Sequence, residues 1–379
     1  MKLLFVENFP PDPNTGAAGS TLAIIAELRK SGHEVEYLSK SVEPYIFPHP
    51  QLQQLIELPK RQQRQVEEQL QRKSYDVVIA SQPYAYRIYE NLAPRYPHTA
   101  FLNRTHGWEE RLINAEQQYQ WRERSGLPGR VLTAMSRAVT RRFCRRSARG
   151  SHGVIAACRL CADFVVNTYG IPPERVVSIP HGLSVPYLIT PPTRKVGEPA
   201  KLFFTGQYLA RKGSHYLREI LPRIARDYPG VTVTFVVPQE SVDLVRRDYS
   251  EAFGARLNAS PWMKRDALIA LYGSHDIFLF PSLFEGFGMT FLEAMSMGMC
   301  VVAFKEGGVA DILTSERELL SVETGNVMGF EQELRWAIEN PAAAAQMGCR
   351  ALARARQFTW VRTAKHMERF CDRVSTARH

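Results

Sequence analysis

Two glutamates, Glu285 and Glu293, stand in the stretch FLFPSLFEGFGMTFLEAMSMGMCVVAFKEGGVADIL, which runs from Phe278 to Leu313. A carboxylate accepts strong charge-assisted hydrogen bonds from vicinal hydroxyls. Gly286 and Gly288 keep the backbone between the two glutamates free of side chains. A helix opening near Met289 would aim unpaired N–H groups and a partial positive charge at the same space, which suits a phosphate. One ligand with hydroxyls at its ends and phosphate in its middle, a nucleotide sugar, meets these demands. An isolated pair at this spacing is more often two solvated charges, so the surroundings decide.

The elements around the pair read clearly. The apolar run Ile277 to Phe280 is a strand that ends at Pro281-Ser282. Phe291, Leu292 and Met295 recur at helical spacing, and Gly298 stops that helix. A second buried strand, Cys300 to Phe304, leads into Gly307-Gly308. Strand, helix and strand at this length predict a βαβ unit, with ligands at the carboxyl ends of its strands.

With Pro281-Ser282, Glu285-Gly286, Phe287-Gly288, Glu293-Ala294 and Gly307-Gly308 in that order, the stretch resembles the signature of the family-4 glycosyltransferases. The resemblance is strong after residue 150 and weak before it. It implies an α/β chain of the GT-B type, two Rossmann-like domains facing across a cleft, and retaining sugar transfer from a nucleotide-sugar donor. On that pattern residues 1–183 form an acceptor-binding domain, 184–200 a linker, 201–357 a donor-binding domain, and 358–379 a helix crossing back. The resemblance places donor hexose hydroxyls on Glu285 and ribose hydroxyls on Glu293. Gly286, Phe287, Gly288, Met289, Thr290, Gly307 and Gly308 would surround the donor. It implies cations of the protein in place of a metal.

Lys201 to Thr205 is read as the first strand of the second domain, followed by GQYLARKGSHYLREIL. Lys212-Gly213 matches the family's Lys-Gly, which implies that Lys212 holds the donor diphosphate. Gln207 stands where the family has Arg, losing a bidentate phosphate clamp. Either leaving-group stabilisation is weaker, or another cation, with Arg211 the neighbouring candidate, replaces it. Val231 to Val237 is the next strand, and Asn258 to Lys264 is predicted as a loop facing the base, with Asn258 a donor contact.

Toward the N-terminus, Lys2 to Val6, Tyr75 to Ala80, Thr99 to Asn103, Gly153 to Ala157 and Val176 to Ile179 read as strands. Ser20 is expected to cap a helix running to about Arg29, ahead of a strand over Glu34 to Leu38. Gly16 and Gly19 give the first loop a loose phosphate-binding look, and the resemblance puts Gly16 beside the donor. The Gln-, Arg- and Glu-rich residues 51–73 predict a solvated helix. His106 follows a buried strand and precedes Gly107, the edge where ligands bind. Alone, such a histidine is more often structural; the resemblance implies contact with the donor sugar at the reaction centre. Residues 130–149 carry Leu132, Met135, Val139 and Phe143 at helical spacing among many arginines. That helix can pack its stripe on a sheet or lie on an anionic membrane.

Length and charge bound the rest. A chain of 379 residues with 45% hydrophobic content fits two domains. A formal charge of +10 favours anionic partners. The expected partners are a nucleotide-diphosphate sugar, a glycan or lipid-linked acceptor, and peripheral contact with anionic membrane. No nucleic-acid module is seen. Of six cysteines, Cys158 and Cys161 form a C-x-x-C without a second pair, which argues against zinc. No metal or other cofactor is expected. Without a signal peptide or an apolar run of roughly 18 residues, the expectation is cytoplasmic, at most peripheral on the inner face of the plasma membrane. A non-catalytic nucleotide-sugar-binding subunit is the rival, motivated by Gln207. Nothing separates UDP from GDP or ADP donors, or one hexose from another.

Overall fold

The computed structural model describes residues 1–13, 15–39, 45–48, 50–121, 127–190, 200–313 and 318–378. The chain forms two compact units. Unit 1 holds the described residues of Met1–Gln117, Glu123–Gly182 and Trp360–His379, and unit 2 those of Gln118–Arg122 and Leu183–Thr359.

Unit 1 is built on a six-stranded parallel sheet. Its strands are β1 (Lys2–Val6), β2 (Glu34–Leu38), β3 (Val77–Ser81), β4 (Ala100–Arg104), β5 (Gly153–Ala156) and β6 (Val176–Ser178). They lie in the order β2-β1-β3-β4-β5-β6, with Leu3 opposite both Val35 and Val77. Successive side chains of a strand point to opposite faces. Leu3 and Phe5 therefore join Ile24, Leu28, Met367 and Phe370 on one face, while Leu4 and Val6 join Val66, Leu70, Ile88 and Phe101 on the other. Both faces are covered by helices, which is why β3 and β4 are buried throughout and apolar up to Ser81 at the end of β3 and Asn103-Arg104 at the end of β4. The last helix, Trp360–Thr376, packs on the helix Gly16–Lys30 within this unit.

Three expectations change here. The first helix opens at Gly16, and Ser20 lies inside it with its hydroxyl donating to Ala17 O at 2.8 Å. The polar stretch 51–73 is not a solvated element: Leu58–Arg72 buries Leu58, Pro59, Gln62, Val66 and Leu70, a stripe hidden by the Gln-rich composition. In the helix Leu127–Gly150 the buried side chains are Phe143, Cys144, Ser147 and Ala148, whereas Met135 is 62% exposed. Its arginines find partners within the unit, Arg137 on Glu116 at 3.0 Å, Arg141 on Gln117 at 2.7 Å and Arg146 on Glu90.

Unit 2 repeats the architecture. Its strands are β7 (Lys201–Thr205), β8 (Thr232–Val237), β9 (Leu257–Pro261), β10 (Ile277–Phe280), β11 (Cys300–Phe304) and β12 (Leu320–Val322), in the parallel order β12-β11-β10-β7-β8-β9. Asn258 to Pro261 thus belong to an edge strand instead of the predicted loop. Ser184 onward, read as linker, contains the helix Val185–Ile189, whose Tyr187 is buried; residues 191–199 lie outside the described residues. In both sheets the first strand sends the chain to one neighbour and later returns it to the other, β1 between β2 and β3, β7 between β8 and β10. Such switch points open crevices at the carboxyl ends of the strands.

The six cysteines are free thiols. Among the described residues no group of three His, Cys, Asp or Glu side chains could hold a metal ion. No described helix is long and apolar enough to cross a membrane.

Candidate functional site

At the switch point of unit 2, three loops meet at the carboxyl ends of β7, β10 and β11. The loop after β7 carries Gln207, Arg211 and Lys212, and the loop after β10 carries Glu285 to Gly288. Backbone contacts lock them: Leu283 N donates to Arg211 O at 2.8 Å, and Gly308 N to Phe287 O at 2.7 Å. Gly213 has φ +77°, and a Cβ there would run into the carbonyl of Pro281. Gly307 has φ +61°, and its Cβ would lie 2.6 Å from both Glu285 Cβ and Phe287 O. Only glycine satisfies both demands at these positions.

Glu285 is 7% exposed, its carboxylate meets Lys212 Nζ, and its own N–H donates to Glu306 Oε1 at 3.2 Å. The lysine is thereby held at the mouth of the crevice on a carboxylate that is itself fixed by backbone. Arg211 Nη2 donates to Gln207 Oε1 at 2.6 Å. The side chain standing at the family's Arg position therefore tethers a guanidinium from four residues on. Gly286 and Phe287 are buried within the loop, while Gly288, Met289 and Thr290 are half-exposed at the start of the helix Met289–Ser296. No side chain caps that helix, so its first N–H groups face the crevice unmatched by a capping side chain. Phe291, Leu292 and Met295 anchor it in the core, each contributing about 1.5–3 kcal/mol by burial.

Glu293 lies one turn further along. Its carboxylate accepts from Tyr272 Oη at 3.0 Å, and Tyr187 is its second phenolic neighbour. Burial raises its pKa to about 7, against the opposing pull of Tyr272, Arg265 and Tyr187. Asn258 is not part of this group. It sits mid-strand on β9, paired with Thr234, and its Oδ1 accepts from Ser260 Oγ at 3.2 Å.

Unit 1 has its own cluster at its switch point. Glu7 follows β1, Ser81 ends β3, and Arg104 ends β4. Glu7 Oε2 accepts from Ser81 Oγ at 2.5 Å, and Oε1 lies 3.2 Å from Arg104 Nη1, Thr21 Oγ1 and His106 Nε2. Burial pushes the Glu7 carboxyl up, but His106, Arg104 and Ser81 outweigh it and hold it below the usual range. An ionised carboxylate only accepts, so Nε2 of His106 carries the proton. Nδ1 is then a bare acceptor, and among the described residues it has no partner. Burial also lowers the His106 pKa, keeping the ring neutral. Gly16 opens the adjoining helix.

His106 and Gly16 thus lie in unit 1, and Arg211, Lys212, Glu285 to Thr290, Glu293, Gly307 and Gly308 gather in unit 2. Sequence reading missed Glu7, Ser81, Arg104, Glu306, Tyr187 and Tyr272. The first three share one signal, a polar residue at or just past the carboxyl end of a buried strand.

Two Rossmann-like parallel sheets with loops of this kind at their switch points define the GT-B class. Sucrose-phosphate synthase from Thermosynechococcus elongatus superposes with a TM-score of 0.78 at 15% identity, covering 100% of both chains. Anabaena HepE in complex with UDP-glucose superposes at 0.68 and 18% identity, covering 97% of this chain and 98% of that one. The family model for glycosyl transferases group 1 matches residues 189–354, and that for glycosyltransferase family 4 matches residues 14–185. The chain belongs to the family-4 type of glycosyltransferases. Glycogen synthase of Mycobacterium tuberculosis is 25% identical over 197 residues, 52% of this chain and 48% of the relative. The chain spans about half the length of the first curated relatives it matches.

Proposed function

We propose that the protein is a retaining hexosyltransferase that moves a hexose from a nucleotide-diphosphate sugar to a hydroxyl acceptor in the synthesis of cell-surface polysaccharide, lipopolysaccharide or glycolipid. The observation that carries this reading is the Lys212–Glu285 pair, backed by Glu306 and set beside an uncapped helix N-terminus. HepE, of the same fold, is described in complex with UDP-glucose.

The proposed chemistry breaks the bond between the anomeric carbon and the diphosphate oxygen, whose electron pair leaves with the nucleotide. The acceptor oxygen bonds to that carbon from the same face, and its proton passes to the departing diphosphate. Negative charge develops on the diphosphate, where Lys212, the N–H groups around Gly286–Met289 and Gly307–Gly308, and the helix dipole oppose it. Arg211, held by Gln207, supplies a second cation. Glu285 and Glu293 take hexose and ribose hydroxyls. No metal enters this scheme, and the rate should be unchanged by EDTA.

Thermal shift against UDP-, GDP-, ADP- and dTDP-sugars tests the donor site, since a ligand of the native state raises the midpoint by mass action. One nucleotide class should stabilise the wild type and fail with Glu293→Ala, while Lys212→Ala keeps most of the shift. No stabilisation by any of them would sink the reading. The anomeric configuration of the product, read by proton NMR, tests retention. The second reading, a non-catalytic nucleotide-sugar-binding subunit, is favoured by Gln207 alone. Turnover by purified protein that falls in Arg211→Ala eliminates it.

Glu293 adds a pH signature. Hydroxyl binding needs the ionised carboxylate, whose pKa is raised to about 7 by burial. Nucleotide affinity should rise about tenfold between pH 6 and pH 8, and Glu293→Gln should flatten the profile. In the free protein the sign is opposite. A raised carboxyl pKa favours the folded state at low pH, and that contribution is lost as pH climbs from about 4.5 to about 7. A wild-type affinity that is level across this range would refute the role given to Glu293.

A further inference from the structure

At the amino-terminal edge of the unit 1 sheet lies a concavity of about 350 Å³ lined by Arg149, Ser151, His152, Arg175, Val374 and Arg378. Ser151 and His152 lead into β5, and Arg175 leads into β6. The Glu7–His106 cluster sits past the opposite ends of the strands, so roughly the length of β5, about 13 Å, separates the two edges.

The lining presents donors and positive charge. Arg175 directs Nε to His152 O at 3.3 Å and Nη2 to the Ser151 carbonyl. Arg149 donates to Tyr169 O at 3.1 and 3.2 Å, and Arg378 Nε to Pro97 O at 3.1 Å. These backbone contacts fix each guanidinium, yet each retains further N–H groups of its five. Among the described residues none of the three forms an ion pair with a carboxylate. His152 Nδ1 accepts from Phe101 N at 3.0 Å, so Nε2 carries the proton. Burial, with Arg378 and Arg175 adding, lowers its pKa to about 4, which leaves it a neutral donor at pH 7.

Capping of helix ends accounts for the bonds of Arg175 and Arg149, since cations favour the carboxyl ends of Leu127–Gly150 and Arg159–Tyr169. It does not account for three guanidinia gathered round one concavity without a carboxylate, where they repel one another. An anion in their midst reverses that repulsion. Arginine forks match phosphate oxygens two at a time, and the volume is at the small end of small-molecule sites.

We propose that this concavity binds a phosphate-bearing ligand, at a place distinct from the donor-binding loops of unit 2. The phosphate can belong to a free small molecule or to a lipid headgroup, and the test separates them. Titration calorimetry of the full chain with inorganic pyrophosphate is run on wild type, Arg378→Glu, Arg149→Gln and Lys212→Ala. One binding event should survive in Lys212→Ala and weaken about tenfold or more in Arg378→Glu, with a smaller loss in Arg149→Gln. Among the described residues the Arg378 side chain makes one exposed hydrogen bond, to Pro97 O, so an unchanged melting midpoint is expected and is checked. In parallel, sedimentation with phosphatidylglycerol vesicles, against phosphatidylcholine vesicles, is compared for wild type and Arg378→Glu. Dependence on Arg378 in the pyrophosphate arm assigns a free phosphate compound, and dependence only in the phosphatidylglycerol arm assigns a headgroup. If Arg378→Glu matches wild type in both arms, the proposal is wrong.

Discussion

Lys212→Ala is expected to lower kcat by about 10²- to 10³-fold, with donor KM changed far less. The lysine ammonium is pinned on Glu285, and Glu285 on Glu306, so its charge is fixed before any ligand arrives. A fixed charge helps most where negative charge grows, on the departing diphosphate, and less in the ground state. Lys212→Arg keeps the charge on a longer, planar group and should recover only part of the rate. The melting midpoint of each variant shows whether the fold is intact. A Lys212→Ala enzyme within about threefold of the wild-type kcat would remove the lysine from the chemistry.

Glu7→Ala should destabilise the protein by about 3–5 kcal/mol, read from urea midpoints. Glu7 and Arg104 are 2% and 3% exposed, and removing one member of such a pair strands the other charge in the interior. Ser81 and Thr21 would lose their acceptor as well. Glu7→Gln keeps the shape and should cost less. The pH dependence follows from the depressed folded pKa: the stabilisation is present above about 4.5 and disappears as pH falls through the folded value. Glu7→Gln should therefore blunt acid unfolding. A loss under about 1 kcal/mol in Glu7→Ala would mean that the cluster is not a structural ion network. The same variant frees His106 to change tautomer, which nitrogen chemical shifts of the labelled ring would report.

Cys300–Phe304 and Ile277–Phe280 could be read residue for residue because both are buried on both faces and therefore apolar without interruption. The Gly-flanked loop and Glu293 could be read because glycine and carboxylate spacing is local. Leu58–Arg72 could not, since its buried stripe is sparse, lies among glutamines and charges, and itself includes Gln62. Asn258 was misplaced because an edge strand is half-exposed and its polar residues look like a loop.

The sequence by itself determined the two α/β halves, the order of their strands along the chain, and the residue types in the loops after β7, β10 and β11, all consequences of short-range pattern. Tertiary structure decided which groups meet. Glu7, Ser81 and the stretch holding Arg104 and His106 come from three separate places, and only sheet order brings them together. The same holds for Lys212 with Glu285, for Tyr187 and Tyr272 around Glu293, and for Arg149, Arg175 and Arg378 around one hollow. Local spacing sets what a segment can become, whereas burial, charge pairing and tautomer depend on neighbours distant in sequence.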